Sequence, residues 1–182
     1  MLLDQADTYE RILAYSFSGR VSCLIDGPLV VWDSFAIIET LAERFPQLWP
    51  STGPQRAHAR AVCAEMHSGF SALRSQMPMN IRRSLPGRGR TPASETDIAR
   101  VIAIWLDCRR RYAKQGPYLF GAFSAADAMF APVCFRFMGY GVEPTGEAGA
   151  YLATMLAHPA MREWQAAALA ETEVVQSDEL PA

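Results

Sequence analysis

A chain of 182 residues, half of them apolar and a fifth charged, with a formal net charge of −2 at pH 7, has the composition of a water-soluble globule. At this length it can bury roughly 70% of its unfolded surface, so its stability requires neither disulfides nor metals. The charge balance argues against a polyanionic partner such as nucleic acid, and no apolar run is long enough to read as a membrane span. The four cysteines (Cys23, Cys63, Cys108 and Cys134) lie far apart with no Cys-x-x-Cys pair. That pattern predicts buried free thiols in a reducing compartment, and with no charged-then-apolar leader pattern a cytoplasmic location is expected.

In chain order, a short helix is predicted over residues 7–15. A compact β signal follows: the apolar runs 21–25 and 29–32 flank Asp26-Gly27-Pro28, and Asp-Gly between such runs predicts a hairpin. Asp33-Ser34 then opens a helix to residue 45, with Phe35, Ile37, Ile38, Leu41, Ala42 and Phe45 at helical spacing and Pro46 as its stop. The Pro50-Ser51-Thr52-Gly53-Pro54 segment reads as a linker and as the domain boundary.

Beyond it every element is predicted helical. One long helix should span residues 55–77, with Val62, Met66, Phe70 and Leu73 near one face. After a loop over 78–92, Ser94-Glu95-Thr96-Asp97 reads as the cap of a second long helix. Ser124-Ala125-Ala126-Asp127 caps a third, apolar nearly all round and so expected at the centre of the domain. Two more helices are predicted over 149–156 and 159–169, and the polar tail 171–182 is expected to fray. The architecture is a small α/β piece over 1–49 followed by an all-helical domain over 55–170.

The sequence offers little overt chemistry. It has no phosphate-binding glycine loop and no dinucleotide fingerprint. Cys63 and His67 stand four apart on one helix, but two ligands make a poor metal site, and no metal is expected. The arginine clusters at Arg82, Arg83, Arg88 and Arg90 and at Arg109, Arg110 and Arg111 read as a solvated loop and a helix end. The informative spot is Trp32-Asp33-Ser34-Phe35. A helix N-terminus there can hold an anion through backbone donors while Asp33 holds an ammonium, which suits the free end of an α-amino acid. Sequence physics alone favours the plainer reading, an N-cap.

Residues 21–45 resemble the second half of the N-terminal, thioredoxin-like domain of glutathione S-transferases: a hairpin, an acid-Ser pair (Asp33-Ser34) and a Ser-Phe-Ala-Ile helix start. The segment Gly121-Ala122-Phe123-Ser124-Ala125-Ala126-Asp127 is similar to that family's Gly-x-x-Ser-x-x-Asp capping element, a structural one carried by Ser124 and Asp127. Glu65-Met66-His67-Ser68-Gly69-Phe70 and Pro78-Met79-Asn80-Ile81-Arg82 look like its bacterial branch. The resemblance implies a partial thioredoxin-like domain followed by the family's all-helical domain. It implies glutathione as co-substrate, with Asp33 and Ser34 on the γ-glutamyl end and the Val21-Ser22 backbone on the cysteinyl part. Met66, His67 and Phe70 become candidates for the wall of a site for small hydrophobic electrophiles. A homodimer through the first two helices of the helical domain is implied as well.

Two departures accompany the resemblance. The family opens with a β-α-β unit that carries the catalytic Ser, Tyr or Cys; the resemblance implies that roughly 30 such residues have no counterpart in this sequence, and no catalytic residue is assigned. Ser22 stands where the family has a cis-proline. A non-proline cis bond costs about 2.5–4 kcal/mol, so Val21–Ser22 is expected to be trans, or strained if cis. The alternatives to a transferase are a glutathione-dependent isomerase of the maleylacetoacetate type and a dimeric binding module that has lost catalysis.

Overall fold

The computed structural model of the chain describes residues 5–175 and 179–180. A short helix, α1 (Thr8–Leu13), precedes the hairpin of β1 (Cys23–Asp26) and β2 (Leu29–Trp32). The antiparallel register runs from Cys23 opposite Trp32 to Asp26 opposite Leu29, which leaves Gly27 and Pro28 as the two-residue turn. Gly27 takes φ +60°, a conformation that costs glycine nothing, and Pro28 lies off the ladder where its missing N–H does no harm. The Val21–Ser22 peptide bond is cis, not trans as the cost for a non-proline pair suggested.

Helix α2 (Ser34–Arg44) follows β2 directly, and Pro46 opens a 3-10 turn beyond its end. The helical part contains α3 (Gly53–Ser68), α4 (Ser71–Gln76), α5 (Pro92–Tyr112), α6 (Ala125–Tyr140), α7 (Gly146–Ala157) and α8 (Pro159–Ala170). The α/β piece followed by helices that the sequence predicts is therefore present, with corrections inside it.

The helix expected over 55–77 is broken in two. Gly69 caps the C-terminus of α3, and a Cβ there would lie 2.7 Å from the Glu65 carbonyl oxygen. Phe70 then takes a left-handed conformation, φ +60°, and turns its ring into the core. The N-cap of α5 lies three residues earlier than the predicted one. Pro92 occupies the first turn, where a missing N–H is tolerated, and Thr91 is the N-cap: its Oγ1 accepts Ser94 N–H at 3.2 Å while Ser94 Oγ accepts Thr91 N–H at 2.9 Å. Asp97 serves α4 instead, accepting Leu73 N–H at 2.9 Å.

The arginines correct two further expectations. Arg82 donates to the Glu171 and Glu173 carbonyls at 2.6 and 2.8 Å, and Arg83 reaches Glu179 and the Leu180 carbonyl at 2.8 and 2.9 Å. The described part of the tail is thus held against the 78–92 loop rather than frayed; residues 176–178 and 181–182 lie outside the described residues. Arg109 is buried, donating to the Gly116 and Tyr118 carbonyls at 2.7 and 2.6 Å.

Helix α6 is the centre of the core. Phe130, Val133, Cys134, Phe135 and Phe137 are all buried, and Trp105 of α5 packs against Phe130, Phe137 and Tyr151 of α7 with ring centroids 4.9–6.1 Å apart. The Ser124–Asp127 capping box fixes the N-terminus of α6. The Asp127 carboxylate is wholly buried and accepts Leu119 N–H, Ser124 N–H, Ser124 O–H and Tyr151 O–H at 2.9–3.2 Å. Burial pushes its pKa above the usual carboxylate range, against the pull of these four donors.

Ser124→Ala should lower stability by about 0.5–2 kcal/mol, the ordinary loss for an N-cap. Asp127→Ala should lower it further, by about 1–3 kcal/mol for each of the two orphaned backbone donors. Unchanged denaturation midpoints in both variants would contradict the capping assignment. The hairpin is thinly held by comparison, since Val21, Ile25, Leu29, Val30 and Trp32 are exposed. In hydrogen exchange the amides of β1 and β2 should therefore lose protection well before those of α6; equal protection would refute this.

Candidate functional site

Asp33, at the junction of β2 and α2, takes φ +78°, in the region that asparagine and aspartate tolerate better than other side chains. The turn brings its carboxylate back over the helix start, where Oδ1 accepts Phe35 N–H at 2.9 Å and Ala36 N–H at 3.1 Å. Asp33 is thus the N-cap, and two of the donors expected to meet an anion are satisfied internally. Ser34 is the first helical residue, and among the described residues no group bonds to its N–H or its hydroxyl.

The second carboxylate oxygen of Asp33 faces the helical part. Its Oδ2 lies 2.9 Å from Nε2 of His67, near the C-terminus of α3. The His67 ring stacks on Phe35 with centroids 6.2 Å apart, and Phe35 meets the buried Trp49 edge-on at 6.3 Å. These contacts seat the start of α2 against the end of α3.

Two cavities meet at this seam. The first, of about 590 Å³, is lined by Val21, Ser22, Asp33 and Ser34 together with Arg20 and Ser18, and His67 closes it. The second, of about 400 Å³, lies on the other side of Ser34 and His67. Met66, Met79, Met129 and Pro132 form its apolar wall, and Arg74 and Arg136 also line it. The residues singled out at the hairpin and at the start of α2 therefore share one space, and Met66 and His67 line the next. Phe70 lines neither cavity, because the left-handed turn at its own backbone sends it into the core. Ser124 and Asp127 stand apart as a structural pair.

The other candidates are accounted for by packing. Cys63, Cys108 and Cys134 are buried, and burial pushes the Cys63 and Cys108 thiols up to about 12, which leaves them protonated at neutral pH. Cys23 is half-buried, its sulfur 3.7 Å from the Tyr15 carbonyl. His58 sits against Tyr112 and Phe120 away from the seam, and burial lowers its pKa despite Asp107 3.6 Å away. Arg20, Arg74 and Arg136 were missed in the sequence. Arg136 carried a signal, as the one basic residue in a helix whose other charged residue is the capping Asp127; Arg20 and Arg74 carried none.

The fold has counterparts among known proteins. The model of the glutathione S-transferase C-terminal domain matches residues 56–167, more than half of the chain. A glutathione S-transferase from Rhodospirillum rubrum superposes with a TM-score of 0.64 at 21% identity, over 90% of this chain and 76% of that one. A glutathione transferase homolog from Burkholderia, solved with bound glutathione, gives 0.59 at 21% over 84% and 74%. A theta class glutathione S-transferase from Xanthomonas axonopodis pv. citri, also with glutathione bound, gives 0.57 at 24% over 90% and 80%. At these identities the likeness establishes the fold: part of a thioredoxin-like domain followed by the helical domain. No curated protein matches the sequence significantly. The matched helical domain, built around the α6 capping box, shows that the chain belongs to the glutathione S-transferase family.

Proposed function

We propose that the chain binds glutathione in the cavity at the start of α2 and joins its sulfur to small hydrophobic electrophiles held in the methionine-lined cavity. One observation carries the reading: the two cavities meet at Ser34 and His67, so a peptide in one and an apolar molecule in the other would lie side by side. Asp33 would receive the γ-glutamyl ammonium at Oδ2, exchanging His67 for a ligand cation while Oδ1 keeps the helix capped. The N–H and hydroxyl of Ser34 would hold the neighbouring carboxylate, helped by the positive end of α2. The Val21-Ser22 backbone would run beside the cysteinyl residue, and Arg20 adds a cation suited to the second carboxylate of the peptide. Bound glutathione supplies the chemistry: its thiolate forms a carbon–sulfur bond, and the leaving group departs with its electron pair.

A second reading, a dimeric binding module without catalysis, is favoured by the cavity lining, which among the described residues includes no tyrosine or cysteine and leaves Ser18, Ser22 and Ser34 as its hydroxyl groups. Single-turnover product analysis with a chlorinated aromatic acceptor separates the two readings.

Asp33→Ala and Ser34→Ala should each weaken glutathione binding about 10-fold or more, the loss of one hydrogen bond to a charged group. Asp33→Asn keeps the cap acceptor and removes the charge, so it should weaken binding while sparing stability. Calorimetry giving equal affinities for all four proteins would rule out the site. We also propose a homodimer through α3 and α5, for which light scattering should show twice the monomer mass; a clean monomer at micromolar concentration would contradict it.

A further inference from the structure

We infer that His67 takes the proton of the glutathione thiol and so is the catalytic base of the proposed reaction. The inference rests on the glutathione reading of the first cavity and names the residue that would activate the sulfur there. A thiol attacks as its thiolate, and an unperturbed cysteine thiol, with a pKa of about 8.5, is mostly protonated at neutral pH. A group that accepts this proton is therefore needed where the peptide meets its acceptor. Ser34 and His67 are the two residues that line both cavities, so the sulfur and the carbon it attacks would approach beside them, to about 3–3.5 Å.

The chemistry of the lining leaves one candidate. Ser18, Ser22 and Ser34 can donate hydrogen bonds to a thiolate but do not remove its proton at neutral pH; the Trp32 indole only donates, and Arg20 has no acceptor. Asp33 commits Oδ1 to the helix cap and has Oδ2 assigned to the ligand ammonium. His67 is the remaining titratable side chain of the first cavity, and imidazole exchanges its proton near neutral pH. The charged groups that share its two cavities are Asp33 and Arg20 in the first and Arg74 and Arg136 in the second.

The ring is also held for the task. It stacks on Phe35 at 6.2 Å with the planes 26° apart, and Nε2 meets Asp33 Oδ2 at 2.9 Å. A carboxylate at that nitrogen keeps the proton there, so in the neutral ring Nδ1 carries the lone pair. Among the described residues no hydrogen bond engages Nδ1. When the ligand ammonium replaces His67 at Asp33, the ring keeps Phe35 and its place in the last turn of α3, whose negative end favours the cation formed on proton transfer. The step balances. The S–H proton passes to a ring nitrogen of His67, and the sulfur's electron pair forms the carbon–sulfur bond. The leaving group departs with its own pair, and the imidazolium returns its proton to water.

The test follows the ultraviolet thiolate band of glutathione bound to the full chain across a pH series. S-methylglutathione, which has no thiol proton to lose, is the control for binding. On the unaltered chain the band should appear at least about one pH unit below that of the free peptide. In His67→Gln, whose amide can still meet Asp33, the band should return to the pH of the free peptide. There kcat/KM with a chlorinated aromatic acceptor should fall about 100-fold or more, while S-methylglutathione binds within about 2-fold of its original affinity. A purely structural role for His67 would weaken both peptides and leave the band of the bound thiol in place. An unshifted band on the unaltered chain would overturn the proposal without any variant. So would a shifted band that survives in His67→Gln, and its loss in Ser22→Ala would then assign the thiolate to that hydroxyl. If the unaltered chain binds both peptides and the thiol stays protonated, this inference alone fails. If it binds neither, the glutathione reading fails and this inference with it.

Discussion

The carboxylate of Asp33 has two tasks, and the geometry of the seam depends on both. With one oxygen it closes the N-terminus of α2; with the other it meets His67 at the end of α3. The ion pair itself contributes little energy, because both side chains are more than a third exposed, and such pairs are worth about 0–1 kcal/mol. The cap contributes about 1 kcal/mol. What holds the two helices together is the apolar contact beneath, where Phe35 lies between His67 and the buried Trp49. Asp33 and His67 therefore set orientation on a seam that packing stabilises. On the proposed reading, a weakly held, partly solvated carboxylate is also one that a ligand ammonium would recruit without dismantling the fold.

Asp127 presents the opposite case, a carboxylate with no access to solvent whose partners are all uncharged donors. Burying it costs energy that only full hydrogen bonding offsets, and the four donors come from the 119 loop, the α6 start and Tyr151 of α7. This network fixes the origin of α6. From that origin the helical repeat places Met129, Pro132 and Arg136 along the side that walls the second cavity, while Phe130, Phe137 and Cys134 fill the core. A structural cap thus determines where the residues that line the second cavity stand along α6. It also explains why a residue that lines neither cavity governs the cavity's shape.

The hairpin, α2 and α6 were legible in the sequence because local signals agreed there: Gly27 at a turn, Asp33 before a helical repeat, a capping box before an apolar run. The division of α3 from α4 was not legible. Met66, Phe70 and Leu73 keep helical spacing across the break, since the left-handed turn at Phe70 preserves its inward direction while ending the hydrogen-bond ladder. The start of α5 was misplaced because Ser94 and Glu95 look like a cap, whereas Ser94 acts three residues inside one. The tail looked free because nothing local reveals that Arg82 and Arg83, about ninety residues earlier, hold it. At the seam, Asp33 and Ser34 carried a local signature, but the arginines of the cavity walls became visible only once helices distant in sequence had been packed together.

The two cavities differ in their linings, and the proposed function assigns them different occupants. The first combines Asp33 with Arg20, so a zwitterionic chain with its ammonium toward α2 and a carboxylate toward Arg20 meets complementary charge at both ends. The second is walled mainly by Met66, Met79, Met129 and Pro132, which on the proposed reading suits an apolar molecule. Ser34 and His67, shared by both walls, stand where the two molecules of the proposed reaction would meet.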